Sequence, residues 1–287
     1  AESWQDVILQ GPHLYVATPF YKAPNETMLH HLDWTVVDLE HLPPNAVPVT
    51  SYKPRGDRYD YDASYAEWGT EDERKPARDF YRVAWRRMAA NTGERTLIPA
   101  LIPPGVAHVH TVRSAGVPGE DNAIVKLAGV SGSLMSDFFI RSSPKGDILE
   151  RDFGRLPWPT AADELLPELT LRVLRLQSLT DAYRPLWEAW YDRNFESDRW
   201  SDEPRPWKSV NLGAVSADWT PRVPLRRDAD RRQALVEIDA LVALMLGVTA
   251  DELCSIYRTQ FPVLYGYDRN RDFYDANGRL VPNEVLK

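Results

Sequence analysis

The chain has 287 residues, a formal net charge of −8 and 43% hydrophobic residues, which suits one large or two modest globular domains. Its only cysteine, Cys254, excludes an internal disulfide, and the apolar helical surroundings of this residue predict a buried, inert thiol. The longest apolar run, residues 240–248, is far too short to span a bilayer, and no signal peptide is recognisable. We therefore expect a cytoplasmic protein with no membrane partner.

A long surface loop is expected between residues 40 and 62, where Pro, Asp and Tyr are abundant. Three cations there are interleaved with tyrosines, and this mixture of basic and aromatic side chains suits contact with a nucleic-acid groove or backbone. The alternative is a solvated loop in which nearby acids balance the cations. The cations are Lys53, Arg55 and Arg58, and the acids are Asp57, Asp60 and Asp62.

The next segment predicts a helix from Pro76 to about Asn91. Proline suits the first helical position, and the apolar side chains that follow share one face at helical spacing. Arg82 and Arg86 lie one turn apart beside that face. Such an arginine stripe is either the solvated side of an ordinary amphipathic helix or a row of guanidinium groups that contacts phosphates.

Positive charge is concentrated around this predicted helix. Residues 74–113 contain eight Lys and Arg against two acids, so the segment carries +6 inside an acidic chain. Charge segregated in this way indicates an anionic partner. The triplet Glu-Arg-Thr at 94–96 then opens a strand over residues 97–102, in which Pro99 favours an edge position. Arg95 either pairs with a neighbouring carboxylate or faces DNA.

Two pairs of histidines raise the question of a metal site. His108 and His110 lie on one side of a strand predicted over residues 106–112, and a second pair occupies residues 30–31. No cysteine cluster or spaced carboxylate completes a ligand set around either pair. We therefore expect no metal site.

A short helix is predicted from Ser133 to Arg141. Leu134, Phe138 and Arg141 fall on one side of it, so we expect its apolar part to pack against the sheet. Arg141 and Lys145 lie at or just beyond its C-terminal end. The helix dipole favours cations there, which is a sufficient structural reason for their presence.

Past residue 160 the sequence becomes mainly helical. The tryptophans of this half recur at helical spacing, which predicts that they pack in the core. Helices are expected over 165–179, around Trp187 and Trp190, from Asp228 or Asp230 to Gly247, and from a capping box at Thr249 to about Gln260.

Four ordered segments carry motifs that occur together in one protein family. They are, in chain order, residues 10–22 with Gly11-Pro12 and Pro19-Phe20-Tyr21-Lys22, residues 82–104 with Glu94-Arg95-Thr96 and Pro103-Pro104, residues 132–141, and residues 145–159 with Lys145-Gly146 and Leu156-Pro157-Trp158-Pro159. Over about residues 7–160 the chain thereby resembles the target-recognition region of type IIG-like restriction–modification and phage-defence DNA N6-adenine methyltransferases. It departs from the family pattern at Gly93 and Gly132, where asparagines are usual, and at Asp147, where a glycine is usual.

The resemblance implies that this chain selects a DNA target for a methyltransferase and performs no catalysis itself. The sequence lacks the glycine-rich loop that holds S-adenosylmethionine and the Asn/Asp-Pro-Pro-Tyr/Phe loop that receives a flipped adenine. We therefore expect the specificity fragment of a longer polypeptide, with no cofactor of its own. The expected partners are double-stranded DNA and the methyltransferase domain of the parent chain, which would bind S-adenosylmethionine.

We predict an α+β fold with two domains. Residues 1–159 are expected to combine a mixed sheet with helices and to read DNA, and residues 160–287 to form a mainly helical support. The resemblance places Arg141 and Lys145 in the specificity region. Because arginine commonly contacts guanine with two hydrogen bonds, we expect Arg141 to contact a base, and we expect Lys145, on a turn, to contact a phosphate. The alternative function is a protein-interaction or scaffold domain of the same defence system, which an exposed tryptophan patch would favour. The candidate DNA-binding residues are Lys53, Arg55, Arg58, Arg82, Arg86, Arg95, Arg141 and Lys145.

Overall fold

The computed structural model describes residues 1–72, 74–118, 121–143, 145–160, 162–201 and 205–286. The α+β fold is confirmed, and helices are more abundant in the C-terminal half. The α-helices of the described part are α1 (Arg58–Ala63), α2 (Asp121–Gly132), α3 (Leu134–Arg141), α4 (Glu150–Phe153), α5 (Leu166–Gln177), α6 (Arg184–Trp190), α7 (Asp228–Met245), α8 (Ala250–Gln260) and α9 (Pro262–Asn270).

The strands of the described part are short. They are β1 (Ile8–Leu9), β2 (Lys22–Pro24), β3 (Trp34–Val36), β4 (Glu67–Trp68), β5 (Lys75–Pro76), β6 (Arg82–Arg86), β7 (Pro99–Ile102), β8 (Ala107–His108) and β9 (Val112–Ala115). They form four small sheets. β1 pairs with β8 in parallel, whereas β2–β3, β4–β5 and the three-stranded sheet β7–β6–β9 are antiparallel.

The helix predicted from Pro76 to Asn91 is wrong, because β6 occupies its centre. Side chains alternate along β6: Val83 and Trp85 enter the largest hydrophobic cluster, and Ala84 joins a second cluster. Strands β7 and β9 flank β6 on its two edges and satisfy its main-chain groups. A strand buried in this way hides apolar side chains on both faces, whereas an amphipathic helix would hide only one stripe.

Of the two strands predicted after residue 96, the first is confirmed and the second is not. Pro99 begins β7, which is an edge strand of the three-stranded sheet, as predicted. The single strand predicted over 106–112 is wrong, because β8 ends at His108 and a hydrogen-bonded turn over residues 109–112 leads into β9. His110 therefore lies in a turn, and the two histidines do not share one face of a strand.

One hydrophobic cluster joins the two halves of the sequence. Trp85 stacks on Phe153 with ring centroids 3.9 Å apart, and the same cluster contains the fully buried Trp187 and Ile238 from the C-terminal half. Helix α5 packs against both α2 and α7 within this cluster. The predicted core packing of Trp187 is confirmed, and the domain boundary at residue 159 stays a prediction.

Helix α3 forms as predicted, and Ser133 is its N-cap. Its expected packing against the sheet is wrong. Leu134 and Phe138 instead contact Phe261 and Leu264 in the C-terminal helical region. The reason is that α2 already packs against β6 and β7, so the apolar side of α3 meets helices.

The capping box at the start of α8 is confirmed. The Thr249 side chain accepts a hydrogen bond from the Glu252 N–H (3.3 Å), and the Glu252 carboxylate accepts one from the Thr249 N–H (2.9 Å). The predicted burial of Cys254 is wrong, since its side chain is exposed. Ile256 and Tyr257, on another side of the same helix, turn towards α3 instead.

The helices of the described ranges are mostly shorter than a bilayer is thick. No single helix there is long and apolar enough to cross a bilayer. One bent pair, residues 123–132 of α2 with α3, meets the requirement by length and composition.

Candidate nucleic-acid interface

The four segments that carry the family resemblance lie together around β6. The chain beyond β6, residues 87–89, pairs with residues 146–148 through main-chain hydrogen bonds. The indole N–H of Trp85 also donates to the carbonyl of Ile148 (3.0 Å). The second and fourth segments are thus joined directly, although about 60 residues separate them in sequence.

The second and third segments meet at a buried ion pair. Arg95 Nε lies 2.7 Å from an oxygen of Asp137, which is fully buried on α3. The main-chain N–H groups of Thr96 and Leu97 donate to the same carboxylate at 3.0–3.2 Å, and Arg95 donates to the carbonyl of Gly132 (2.7 Å). Arg141, one turn further along α3, lies 3.4 Å from the other oxygen of this carboxylate. Two guanidinium groups and two main-chain N–H groups therefore fix the carboxylate, and they hold the Glu-Arg-Thr triplet against the start of α3.

The first and second segments meet through a tyrosine. The hydroxyl of Tyr15 donates to Glu94 (2.8 Å), and the rings of Tyr15 and Tyr21 lie 4.8 Å apart. Burial, reinforced by the negative charge of Glu94, raises the pKa of Tyr15. The hydroxyl therefore stays protonated and remains a donor to the carboxylate at neutral pH.

Arg82 and Arg86 are held inside the fold by main-chain carbonyls. Arg82 is 3% exposed and donates to the Val106 carbonyl and to Ser114. Arg86, half-buried, donates to the carbonyls of Gly11 (2.8 Å) and Leu14. Burial lowers the pKa of Arg82 to about 10, so its guanidinium is still charged at neutral pH. The Arg82 guanidinium has no open path to a DNA phosphate in this structure.

Arg141 and Lys145 also make contacts within the chain. Arg141 donates to the carbonyls of Glu94 (3.0 Å) and Gln260 (2.9 Å), and its guanidinium lies 4.4 Å from the ring centroid of Phe261. Lys145 forms an ion pair with Asp152 (2.8 Å). Both residues therefore fasten the end of α3 to neighbouring segments.

Lys53 and Arg55 are different. Both are exposed, and the described residues provide no carboxylate or hydrogen-bond partner for either side chain. We call residues 50–59 the basic–aromatic loop, because it also contains Tyr52 (53% exposed) and Tyr59 (79% exposed). Gly56 adopts a φ of +85° with open space around it, which shows that the loop turns sharply in solvent. The loop presents two free cations and two aromatic rings.

The acids near this loop are used elsewhere. Asp57 caps α1 by accepting from the Tyr59 N–H (2.8 Å), and Asp62 lies 3.3 Å from Arg78. Arg58 pairs with Asp6 (2.9 Å) and anchors the end of the loop. Asp60, the third acid of the solvated-loop alternative, is exposed. Among the described residues none of these three acids forms an ion pair with Lys53 or Arg55.

A cleft of ≈ 560 Å³ opens beside the resemblance segments. Tyr15, Tyr21 and Glu94 contribute to one wall, and Arg231 and Tyr267 come from the C-terminal helices. Arg231 is buried and donates only to groups of the chain itself. The cleft thus combines aromatic rings with polar groups whose hydrogen bonds are largely made inside the fold.

The histidine pairs do not assemble a ligand set in the part of the chain that the structure describes. No group of three His, Cys, Asp or Glu side chains there has the spacing to hold a metal ion. His108 contacts Ser114 (2.9 Å), and burial, followed by the positive charge of Arg82, lowers its pKa to about 4. This imidazole is therefore a neutral structural group at neutral pH.

Sequence reasoning missed the carbonyl-bound arginines of the interior. Arg175 is 1% exposed and donates to the carbonyls of Val223 (2.8 Å) and Leu212 (2.7 Å). A usable signal was present, because Arg172 and Arg175 interrupt an otherwise apolar run over residues 171–176. It also missed Asp137 as the partner of Arg95, although that aspartate belongs to the third resemblance segment.

The candidate residues therefore divide into two groups. Arg82, Arg86, Arg95, Arg141 and Lys145 surround the joined resemblance segments, whereas Lys53 and Arg55 lie on the basic–aromatic loop, with Arg58 at its anchored end. Comparison of the chain with protein-family models, with curated proteins and with solved structures found no match.

Proposed function

We propose that the chain recognises double-stranded DNA, as the specificity portion of an adenine-N6 DNA methyltransferase of a restriction–modification or phage-defence system. The observation that carries this proposal is the basic–aromatic loop. Lys53 and Arg55 are free to meet phosphates, and Tyr52 and Tyr59 offer exposed rings beside them. A loop that presents unpaired cations beside exposed aromatic rings suits a polyanionic ligand.

The arrangement of the resemblance segments supports the same proposal. Segments far apart in sequence are joined by the Arg95–Asp137 ion pair and by the Tyr15–Glu94 hydrogen bond. In the family that the sequence resembles, these segments belong to the region that selects the DNA target. Their role here is to build a rigid support, on which loops can be presented to DNA in a fixed geometry.

The protein-interaction alternative has less support. A partner surface built on tryptophan would need several exposed rings in one place. All ten tryptophans lie in the described part of the chain, and the most exposed of them, Trp158, is 43% accessible and has Lys126 over its ring. No second exposed tryptophan accompanies it there.

A selection from random duplexes tests the proposal. Wild-type protein should retain DNA and enrich one sequence over successive rounds. The variant Lys53→Ala/Arg55→Ala should retain less DNA of every sequence, because phosphate contacts carry no sequence information. The matched control, Arg193→Ala/Arg258→Ala, removes two exposed cations elsewhere and should behave as wild type. Failure of the wild-type protein to retain DNA at low salt would contradict the proposal.

Whether this chain takes part in cofactor binding can be tested separately. We propose that catalysis and S-adenosylmethionine binding belong to the methyltransferase domain of a longer parent chain. Titration of this chain with S-adenosylmethionine in a calorimeter should then give no saturable heat. Saturable binding would show that the chain has a cofactor site of its own and would overturn this part of the proposal.

A further inference from the structure

The hairpin formed by β2 and β3 carries a preorganised turn. We call residues 25–33 the hairpin tip. The carboxylate of Asp33 accepts hydrogen bonds from the side chains of Asn25 (2.5 Å) and Thr27 (2.8 Å) and from the Leu29 N–H (3.0 Å). Thr35 in turn donates to Asn25 (2.7 Å). The carboxylate of a single aspartate therefore joins three residues of the turn and holds it in one conformation.

This rigid turn displays two apolar side chains to solvent. Leu29 is 81% exposed and Leu32 is 72% exposed, and they are the two most exposed leucines among the described residues. Neither contributes to a hydrophobic cluster. His30 and His31, between them in sequence, are also exposed. Because exposed leucines on an ordered turn gain nothing from the fold, they point to a ligand.

The hairpin tip and the basic–aromatic loop share one anchor. His13 packs edge-on against Trp34 in β3, with ring centroids 4.8 Å apart. The other side of the same imidazole contacts the carbonyl of Val49 (2.9 Å), the residue that precedes the basic–aromatic loop. The base of the hairpin and the start of the loop are therefore fixed to the same buried histidine, which sets the position of one exposed feature relative to the other.

We propose that the hairpin tip is a wedge that inserts Leu29 and Leu32 between stacked base pairs of the bound duplex. This inference rests on the proposed DNA-binding function. Apolar side chains used in this way unstack one base step, and a two-stranded ribbon is narrow enough to enter a groove. The loop would hold phosphates while the leucines open the stack, which is the step that precedes any exposure of a base.

The size of the apolar feature favours DNA over a protein partner. A stable protein interface buries roughly 1,200–2,000 Å² in total, with a contiguous apolar centre. Two leucine side chains provide only a small part of such a centre. An intercalating wedge needs only one or two apolar side chains beside phosphate contacts.

Two short duplexes of identical sequence, one of them with a single abasic site, test the wedge. A wedge binds a site that is already unstacked more tightly, so wild-type protein should prefer the abasic duplex by about tenfold. Leu29→Ala/Leu32→Ala should abolish this preference and leave binding to the intact duplex nearly unchanged. Lys53→Ala/Arg55→Ala should weaken binding to both duplexes and preserve their ratio.

The controls separate the wedge from the DNA-binding proposal. Leu244→Ala removes another exposed leucine, on α7, and should keep the wild-type ratio. Equal binding of both duplexes by wild type, or an unchanged ratio in the leucine variant, would overturn the wedge while DNA binding stands. Absence of any DNA binding would overturn both. A change from dimer to monomer in the leucine variant, measured by sedimentation without DNA, would assign the leucines to self-association instead.

Discussion

The cations around β6 and the cations of the basic–aromatic loop have the same formal charge but differ in burial and in the partners that surround them. Arg82 and Arg95 are 3% and 6% exposed and are surrounded by carbonyls or carboxylates of the chain. Lys53 and Arg55 are exposed and have no such partner among the described residues. The first group stabilises the fold, and the second is available to a ligand.

The difference shows why a local count of charges is a weak guide to an electrostatic surface. Residues 74–113 carry +6, yet several of these charges are neutralised by acids from distant segments or buried against carbonyls. Arginine suits this interior role because its five donors can satisfy several carbonyls at once. The three cations of residues 53–58 gave a weaker signal in the sequence than the arginine-rich segment did.

The largest effect on stability is expected from Arg95→Ala. The substitution removes the nearer of the two cations beside the buried carboxylate of Asp137, leaving Arg141 at 3.4 Å, and it also leaves the Gly132 carbonyl without its donor. The loss should destabilise the protein by about 3–5 kcal/mol. Urea unfolding of the variant measures this change. Lys53→Ala, in comparison, should change the free energy of unfolding by less than about 0.5 kcal/mol. If the two substitutions lowered the free energy of unfolding equally, interior and loop cations would not differ in their contribution to stability.

A somewhat smaller effect is expected from pH, because His108 is buried and lies near the positive charge of Arg82. Burial first, and then Arg82, lower the pKa of His108 from its ordinary value of 6.5 to about 4 in the folded protein. Between these values the unfolded chain binds more protons, so stability should fall as the pH drops from about 6.5 to 4, by an amount on the order of 3 kcal/mol. Arg113 and Glu150 also act on this imidazole, in opposite directions.

The measurement is the free energy of unfolding of wild type and His108→Gln across this range. The variant should lose part of the pH dependence, namely the part that the imidazole contributes. His110→Gln, which changes an exposed histidine two residues away, is the matched control and should retain the wild-type profile. Identical profiles for wild type and His108→Gln would show that His108 is not held neutral by its surroundings.

Arg141→Ala should have an intermediate effect, because its guanidinium serves several carbonyls and lies over Phe261. We expect a loss of about 1–3 kcal/mol of stability from the unsatisfied carbonyls and the lost packing. Thermal unfolding gives the stability, and binding to selected and scrambled duplexes gives the specificity. If the melting temperature is unchanged and the difference in affinity between the selected and the scrambled duplex becomes smaller, the result would instead support Arg141 as a base contact.

The sequence predicted helices α5 to α8 and the capping box at Thr249, because these depend on local spacing and capping chemistry. It did not predict α9. It failed at β6, where apolar residues fit both a two-residue and a helical period. Only contacts with strands more than ten residues away, β7 and β9, decide between the two. Local reasoning also could not find Asp137 as the partner of Arg95, since 42 residues separate them.

Local sequence patterns also identified only some of the candidate residues. Lys53 and Arg55 were identified because basic and aromatic residues in a polar loop need no tertiary information to be recognised as exposed. The exposed leucines of the hairpin tip were not identified, because a sequence pattern does not show which apolar residues remain outside the core. The hydrogen bonds of Asp33, which hold them there, become visible only in the folded chain.

The salt dependence of DNA binding tests most directly the claim that the loop cations, and not the interior arginines, meet phosphates. Each phosphate contact contributes about 0.9 to the slope of log K against log salt. Lys53→Ala/Arg55→Ala should therefore lower the slope by about 2. Arg82→Met, assayed at a temperature at which it is folded, should leave the slope unchanged. An unchanged slope in the loop variant together with a lower slope in Arg82→Met would contradict the claim.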